Sequence, residues 1–144
     1  MRKLGLEGDS QADRSVHGGP LKAVYAYPSE HYPFWEELLG KKLEWGAFGE
    51  NITTVGVSEE SLHPGDELKI GDAILAITKP RFPCFKLGIR MMRPDFVKMF
   101  EKSDLPGFYL SVTQEGSISA GDTIEVVRSG EGNPTIASVY RGER

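Results

Sequence analysis

The only cysteine of the chain, Cys84, lies in a sequence context that favours thiol chemistry. Pro83 suits the first position of a helix, which places Cys84 in the first turn, where free backbone N–H groups stabilise a thiolate. Arg81 and Lys86 add positive charge on either side, which lowers the pKa of a thiol. A lone cysteine is more often a small buried hydrophobe, and no protease-like signature supports a Cys–His pair with His17. The segment predicts either a reactive thiol or soft metal ligand, or a packing residue.

The segment that begins at His17 combines an imidazole with two glycines and a nearby cation. Gly18 and Gly19 let a backbone approach a ligand closely, and Lys22 is placed to meet an anion. A loop that only turns there explains the same residues equally well, so both interpretations stay open. Neither this histidine nor the other two have the spacing of a zinc motif.

Four Gly-Asp pairs recur along the chain, at Asp9, Asp66, Asp72 and Asp122. Carboxylates in turns can bind metals, but Gly-Asp is also a favoured turn dipeptide. Asp66, Asp72 and Asp122 each precede a strand-like segment, so we predict turns there. Asp9 lies in a long polar stretch and is left undecided.

Local patterns predict many short elements joined by turns, since 17 glycines and 9 prolines are spread along the chain. The polar, glycine-rich stretch Leu4–Pro20 is interpreted as a long loop. A helix is predicted from Pro33 to Leu39, with Gly40 as its stop. A second helix is predicted from Pro94 to about Lys102, burying Phe96, Val97 and Phe100. Strands are predicted at Ala23–Tyr27, within Gly49–Val55, at Ile74–Thr78 and at Phe108–Thr113.

Two similar segments, Glu67–Ile70 and Thr123–Val126, alternate polar and apolar residues after a Gly-Asp turn. This period of two predicts half-buried strands. The side chains expected to point inward are Leu68, Ile70, Ile124 and Val126. Because the strands come in turn-linked pairs, a βαβ sheet is disfavoured. The sequence predicts one mainly β domain over residues 1–144, a closed or nearly closed β-barrel with two or three short helices.

Composition excludes several classes of function. The formal net charge is −4 and no basic run stands out, so the footprint of a nucleic-acid-binding protein is missing. No stretch approaches the ~20 apolar residues of a membrane span, and the first residues lack the apolar core of a signal peptide. A single cysteine fits a reducing compartment, which makes a cytoplasmic location the default expectation.

Four segments together resemble the MOSC domain, named after the C-terminal domain of molybdenum cofactor sulfurase. In chain order they are Leu6-Glu7-Gly8-Asp9, His17-Gly18-Gly19-Pro20, Gly46-Ala47-Phe48-Gly49-Glu50-Asn51-Ile52-Thr53 and Pro80-Arg81-Phe82-Pro83-Cys84. The resemblance runs from about residue 4 to residue 127 and is greatest to the stand-alone bacterial members. It implies a β-barrel that binds the molybdenum cofactor, with Cys84 as molybdenum ligand or sulfur-carrying residue.

The resemblance also implies an activity and a set of site residues. Some members reduce N-hydroxylated bases and amidoximes with electrons from a separate flavin or haem partner. The alternative is a non-enzymatic carrier of the cofactor, or of sulfur on Cys84. A soft thiolate suits a molybdenum bound to other sulfurs. His17, Asn51, Arg81 and Cys84 are expected to line one cleft. The full set expected to bind the cofactor is His17, Gly18, Gly19, Lys22, Asn51, Thr53, Arg81 and Lys86.

Overall fold

A computed structural model describes residues 2–6, 13–16, 23–82, 85–130 and 132–142, with side chains for 23–82, 88–130 and 132–142. Its strands are β1 (Arg2–Leu6), β2 (Asp13–Val16), β3 (Val24–Pro28), β4 (Ile52–Val55), β5 (Glu67–Ile70), β6 (Ala73–Pro80), β7 (Phe108–Gln114), β8 (Gly116–Ser119) and β9 (Thr123–Arg128). Seven of them close into a barrel in the order β1-β4-β3-β7-β6-β5-β9, while β2 pairs with β8. Among the described strands, β3 and β4 are the only parallel neighbours. The predicted mainly β barrel is confirmed.

The inside of the barrel is filled by aliphatic side chains from alternating strand positions, which we call the interior cluster. Leu68, Ile70 and Ile124 belong to it and are each 1% exposed, as the period of two predicted. Leu75 of β6, in the same cluster, is fully buried. The interior therefore follows directly from the binary pattern of the strands.

Val126 is not buried, contrary to the sequence prediction, and its side chain is 49% exposed. β9 pairs with β5 as far as Arg128, and Val126 lies opposite the buried Leu68. The described pairing of β9 with β1 covers only Thr123 and Ile124, so Val126 has a described strand neighbour on one side only. The period of two therefore predicts the face of the strand but overestimates how far its buried part extends.

The interpretation of Leu4–Pro20 as one long loop is wrong, because the described parts of this stretch lie in two strands. β1 pairs with β4 over four residues and with β9 over two, which closes the barrel. β2 pairs with β8 over four residues, from Asp13↔Ser119 to Val16↔Gly116. Both partners are more than 40 residues away in sequence, so long-range pairing overrides the weak local β-propensity of polar, glycine-containing segments.

Four short α-helices occur in the described residues, α1 (Tyr32–Leu39), α2 (Phe85–Arg90), α3 (Phe96–Ser103) and α4 (Ile136–Tyr140), after a 3-10 turn at Ser29–His31. The sequence prediction of two or three helices missed α4, whose five residues are too few for a visible 3.6-residue period. Gly40, with φ of 69°, ends α1 as predicted. None of the described helices is long and apolar enough to cross a membrane.

A second cluster, which we call the aromatic cluster, lies outside the barrel wall, where α1 and α3 pack. β3 separates the two clusters, since Ala26 belongs to the interior and its neighbours to the outside. α3 contributes Phe96 and Phe100, both fully buried, while Val97 is only half-buried. The buried members of the aromatic cluster are Tyr25, Tyr27, Tyr32, Trp35, Phe48, Met91, Phe96 and Phe100.

The Gly-Asp pairs that fall within the described residues form turns before strands, as predicted. The Asp66 carboxylate accepts hydrogen bonds from the backbone N–H groups of His63 (2.9 Å) and Gly130 (2.6 Å). The Asp122 carboxylate accepts from Ser119 N–H at 2.8 Å. Asp72 lies in the turn between β5 and β6. Asp9 lies outside the described residues.

Candidate functional site

The candidate site is defined by the predicted residues that fall within the described chain. Asn51, Thr53 and Arg81 are described with their side chains, and Lys86 by its backbone in α2. The other predicted site residues lie outside the described residues: His17, Gly18, Gly19, Lys22 and Cys84. The helix start predicted at Pro83 also lies outside them, and described helix begins at Phe85, directly after Cys84 in sequence.

The loop from Gly46 to Asn51, called here the 46–51 loop, connects the aromatic cluster to β4. Gly46 and Gly49 adopt φ of 95° and 85°, a backbone region that glycine enters at low cost. Gly49 N–H donates to Gly46 C=O at 3.0 Å, which tightens the turn. Phe48, between these turns, is fully buried in the aromatic cluster and anchors the loop.

Glu50 stabilises the 46–51 loop through hydrogen bonds of its side chain, which is fully buried. One carboxylate oxygen accepts the hydroxyls of Tyr32 (2.5 Å) and Thr53 (3.0 Å), and the other accepts Phe48 N–H at 3.0 Å. The Tyr32 hydroxyl in turn accepts N–H groups of Gly46 (3.0 Å) and Ala47 (3.2 Å). Burial, and then the Glu50 charge, raise the pKa of Tyr32 well above its usual range. The loop conformation is thus fixed by a closed network of hydrogen bonds.

Asn51 joins the loop to strand β3 through both its backbone and its side chain. Its N–H donates to Tyr25 C=O at 2.8 Å, and its Oδ1 accepts Tyr25 N–H at 2.9 Å. The residue is exposed, and its Nδ2 group makes no hydrogen bond to any described residue. Asn51 therefore presents an amide donor at the surface while its oxygen is occupied.

Arg81 reaches the same place from the end of β6. Its Nη1 donates to Phe48 C=O at 2.6 Å, and its guanidinium lies 4.6 Å from the centre of the Tyr25 ring. Burial raises the pKa of Tyr25, so its phenol stays neutral and donates to Pro106 C=O at 2.6 Å. Asn51 and Arg81, 30 residues apart in sequence, are thus brought together on Tyr25.

Arg90, on α2, is a further residue of this candidate site that was not predicted from the sequence. Its Nε and Nη2 donate to the carbonyls of Ala47 (3.0 Å) and Gly46 (2.8 Å). A Cβ atom added to Gly49 would lie 3.8 Å from Arg90 Nε and 3.9 Å from Arg81 Nη1, so two guanidinium groups flank this glycine. The available signal was its position six residues after Cys84, on the helix predicted to begin at Pro83.

A basic groove of about 400 Å³ lies beside the 46–51 loop. Lys41, Lys42 and Arg90 supply three positive charges to its lining, against the single carboxylate of Glu44. Thr53, by contrast, is fully buried, and its hydroxyl donates to Glu50. Thr53 therefore supports the loop, whereas Asn51, Arg81, Arg90 and the two lysines shape its outer side.

The described residues fit a cofactor that carries an anionic group and needs hydrogen-bond donors. Arg81 and Arg90 bring two permanent cations to the outer side of the loop. Asn51 adds a neutral donor, and the buried Glu50 carboxylate is occupied by three internal hydrogen bonds. A phosphate-bearing cofactor is therefore compatible with the charge and the donors of this site.

Comparisons with known proteins identify the family. The model of the MOSC domain matches residues 13–125. The chain is 44% identical over 126 residues to the uncharacterized protein YflK of Bacillus subtilis, covering 88% of this chain and 57% of YflK. It is 35% identical over 141 residues to a Gibberella moniliformis protein named Reductase, covering 95% of this chain and 25% of that protein.

Among solved structures, the fold matches the crystal structure of YiiM from Geobacillus stearothermophilus with a TM-score of 0.83 and 36% sequence identity. The match covers 90% of this chain and 67% of that one. The chain spans 57% and 25% of the two curated relatives described above. The matched family model, the sequence relatives and the shared fold together show that this chain belongs to the MOSC domain family.

Proposed function

We propose that this protein binds the molybdenum cofactor and reduces N-hydroxylated compounds, of the hydroxylaminopurine or amidoxime type, with electrons from a separate redox protein. The observation that carries the proposal is the convergence of Asn51, Arg81 and Arg90 on one loop of a MOSC-family chain. Arg81 and α2, which carries Arg90, lie on either side of Cys84 in sequence. A relative named Reductase is consistent with redox chemistry.

The residues of the site would divide the work of holding the cofactor. Arg81 and Arg90 neutralise its anionic phosphate, and Asn51 donates its unoccupied amide N–H. The Cys84 thiolate is the soft ligand that molybdenum prefers. Bound there, the molybdenum centre supplies the two-electron redox chemistry, while the protein supplies placement and electrostatics. The Glu50 network keeps the loop in one conformation, so binding does not have to order it.

The overall reaction sets the demands on the protein. Cleavage of one N–O bond consumes two electrons and two protons, and yields the reduced base or amidine and one water. The exposed side of the 46–51 loop gives a small substrate access to the site. The aromatic cluster behind the loop excludes water from its inner side.

The test measures cofactor content and turnover in the same preparations. The protein is produced in a host that makes the cofactor, and molybdenum and pterin are quantified in the wild type and in the Cys84→Ser, Arg81→Ala and Arg90→Ala variants. Arg93→Ala is the matched control, because Arg93 pairs with Asp95 at 3.0 Å and forms no hydrogen bond or ion pair with the loop among the described residues. Turnover is measured with a chemically reduced viologen, which removes the need for a protein donor.

We expect the wild type to retain molybdenum and reduce hydroxylaminopurine or an amidoxime. Cys84→Ser loses both properties, because a hydroxyl is a hard and weakly acidic ligand. The Arg81 and Arg90 variants lose at least about tenfold in cofactor retention, and the Arg93 control does not. If the wild type retains molybdenum but reduces neither substrate, the protein would be a carrier of the cofactor and not a reductase. A wild type without molybdenum would overturn the proposal.

A further inference from the structure

The surface formed by the end of α2 and the start of α3 exposes large apolar side chains to solvent. Their exposure does not stabilise the isolated protein. Ile89 is 69% exposed and Met92 is 86% exposed. They line a groove of about 470 Å³ together with Gly88, Arg93, Pro94 and Val97. We call this surface the α2–α3 face. Contiguous exposed apolar surface of this kind marks an interaction site more often than a random position does.

The backbone conformation at Met92 keeps its side chain exposed to solvent. Met92 has a φ of 57°, a region that bulky side chains rarely adopt. Two backbone hydrogen bonds close this turn, from Met92 N–H to Ile89 C=O at 3.1 Å and from Arg93 N–H to Gly88 C=O at 3.0 Å. A flexible, polarisable methionine presented in this way suits a contact that must adapt to its partner.

The segment that carries the face is basic in an acidic protein. Residues 85–103 contain five Lys or Arg and two Asp or Glu, a formal charge of +3, whereas the chain has a net charge of −4. Lys98 is exposed on α3 next to Pro94 and Val97. Arg93 forms two hydrogen bonds with Asp95, so this pair adds no net charge to the face, and the exposed Lys98 supplies its positive charge. An apolar patch with a basic rim is complementary to an acidic protein surface.

The position of the face connects it to the candidate site. α2 begins at Phe85, the residue after Cys84, and Ile89 follows four residues later, about 6 Å along the helix axis. Arg90, on the same helix, binds the 46–51 loop directly. A protein seated on this face is therefore brought next to the residues of the site.

We infer that the α2–α3 face, with Ile89 and Met92 at its centre and Lys98 at its rim, is the docking surface for an acidic electron-donor protein. The inference rests on the proposed reductase function. Each N–O bond consumes two electrons, so a one-electron carrier must dock and leave twice per turnover. Redox encounters of this kind use small interfaces, below about 1,200 Å², and are steered by charge.

The test measures binding of two small acidic electron carriers, a flavodoxin and a cytochrome b5, by titration calorimetry at low and high salt. The variants are Ile89→Glu, which places a charge in the apolar centre, and Lys98→Glu, which reverses a charge at the rim. Val127→Glu is the matched control, because Val127 is 45% exposed on β9, outside the face. Molybdenum content and sedimentation of each variant are measured in parallel.

We expect at least one carrier to bind the wild type, with affinity reduced about tenfold in both face variants and by added salt, and unchanged in the control. Molybdenum content should be the same in all four proteins. Absence of binding by both carriers, or binding that the face variants do not weaken, would overturn the inference. So would a dimer of the wild type that Ile89→Glu dissociates, since a second copy would then occupy the face.

The two proposals fail separately in this experiment. If the wild type retains molybdenum but the face variants bind the carrier normally, the docking proposal is wrong and the cofactor proposal stands. If the wild type lacks molybdenum but binds the carrier through the face, the cofactor proposal is wrong and the docking proposal stands.

Discussion

The interior cluster and the aromatic cluster are both buried, but they differ in how their side chains are held. The interior cluster consists mainly of aliphatic side chains, such as Leu75 and Ile77, held by packing alone. In the aromatic cluster, polar groups on the rings form directed hydrogen bonds to one another and to backbone carbonyls. Trp35 Nε1 donates to the Tyr27 hydroxyl at 2.8 Å, and Tyr27 donates to Leu105 C=O at 2.8 Å. The two clusters therefore have different roles. Close packing in the interior cluster stabilises the fold, and directed hydrogen bonds in the aromatic cluster fix the positions of the segments that they join.

This difference between the two clusters is consistent with the position of the candidate site, which lies next to the aromatic cluster. The hydrogen bonds of Glu50, Asn51 and Arg81 connect the 46–51 loop to the aromatic side of β3, through Tyr32, Tyr25 and Phe48. The barrel interior lies on the other side of β3, where Ala26 belongs to the interior cluster. A change inside the barrel should therefore lower stability and spare the site, and a change in the aromatic network should affect the site more strongly than a change inside the barrel does.

The largest expected effect on stability comes from the interior. Leu75→Ala removes a fully buried side chain and should lower the free energy of unfolding by about 2–5 kcal/mol. Val126→Ala is the control and should change it by less than about 0.5 kcal/mol, because Val126 is half exposed. Urea unfolding measures both. Molybdenum content per folded molecule should stay unchanged in Leu75→Ala, and a specific loss of the metal would contradict the separation of tasks.

A smaller loss of stability, coupled to a larger loss at the site, is expected for Glu50→Gln. The new NH₂ group must face either Phe48 N–H or the hydroxyls of Tyr32 and Thr53, all of which now donate to the carboxylate. An unmade buried hydrogen bond of this kind costs about 1–3 kcal/mol. Loosening the loop should also reduce cofactor retention more than Leu75→Ala does. Exposed Glu125→Gln is the control. Normal retention in Glu50→Gln would show that the loop does not depend on this network.

The sequence predicted the elements whose signal is local. Leu68, Ile70 and Ile124 follow a period of two, and α1 ends at a glycine, so each could be found from a few consecutive residues. β1 and β2 could not, because their partners lie far away in the chain. Val126 was predicted to be buried, but it lies beyond the described pairing of β9 with β1, and the binary pattern of one strand does not show where that pairing ends.

The same distinction holds for the candidate site. Asn51 and Arg81 were predicted as site residues because they belong to family-like motifs. Arg90 was not, because its role arises from hydrogen bonds to backbone carbonyls more than 40 residues away, and any residue type can offer a carbonyl. Glu50 belonged to a quoted motif, but its function as an internal pin depends on Tyr32, which comes from a different element. Hydrogen bonds between a side chain and backbone groups far away in sequence are therefore the features of a site that are hardest to predict from sequence patterns.

The smallest effect at neutral pH is expected for Tyr140, which lies outside both clusters and stacks on Phe82 with ring centres 5.4 Å apart. Burial, and then the charges of Glu101 and Asp104, raise the pKa of Tyr140 to about 12. Tyr140→Phe keeps the stack and loses the hydrogen bond to Glu101 C=O, 3.1 Å long, which should cost about 1 kcal/mol or less at pH 7.

Alkaline pH sharpens the comparison, because a raised pKa means that the folded protein holds the phenol proton more tightly than the unfolded chain. The stability that Tyr140 contributes is therefore complete below pH 10 and is lost as the pH rises from 10 to about 12. Tyr140→Phe should make the alkaline fall in stability shallower, by at most about 1.4 kcal/mol per pH unit. The tyrosines of the aromatic cluster, whose pKa values burial raises further, should keep the remaining slope. Urea unfolding from pH 8 to pH 12 measures the slope, and phenolate absorbance follows ionisation directly. An unchanged slope would mean that Tyr140 ionises as freely in the folded protein as in the unfolded chain, and that only the tyrosines of the aromatic cluster couple ionisation to folding.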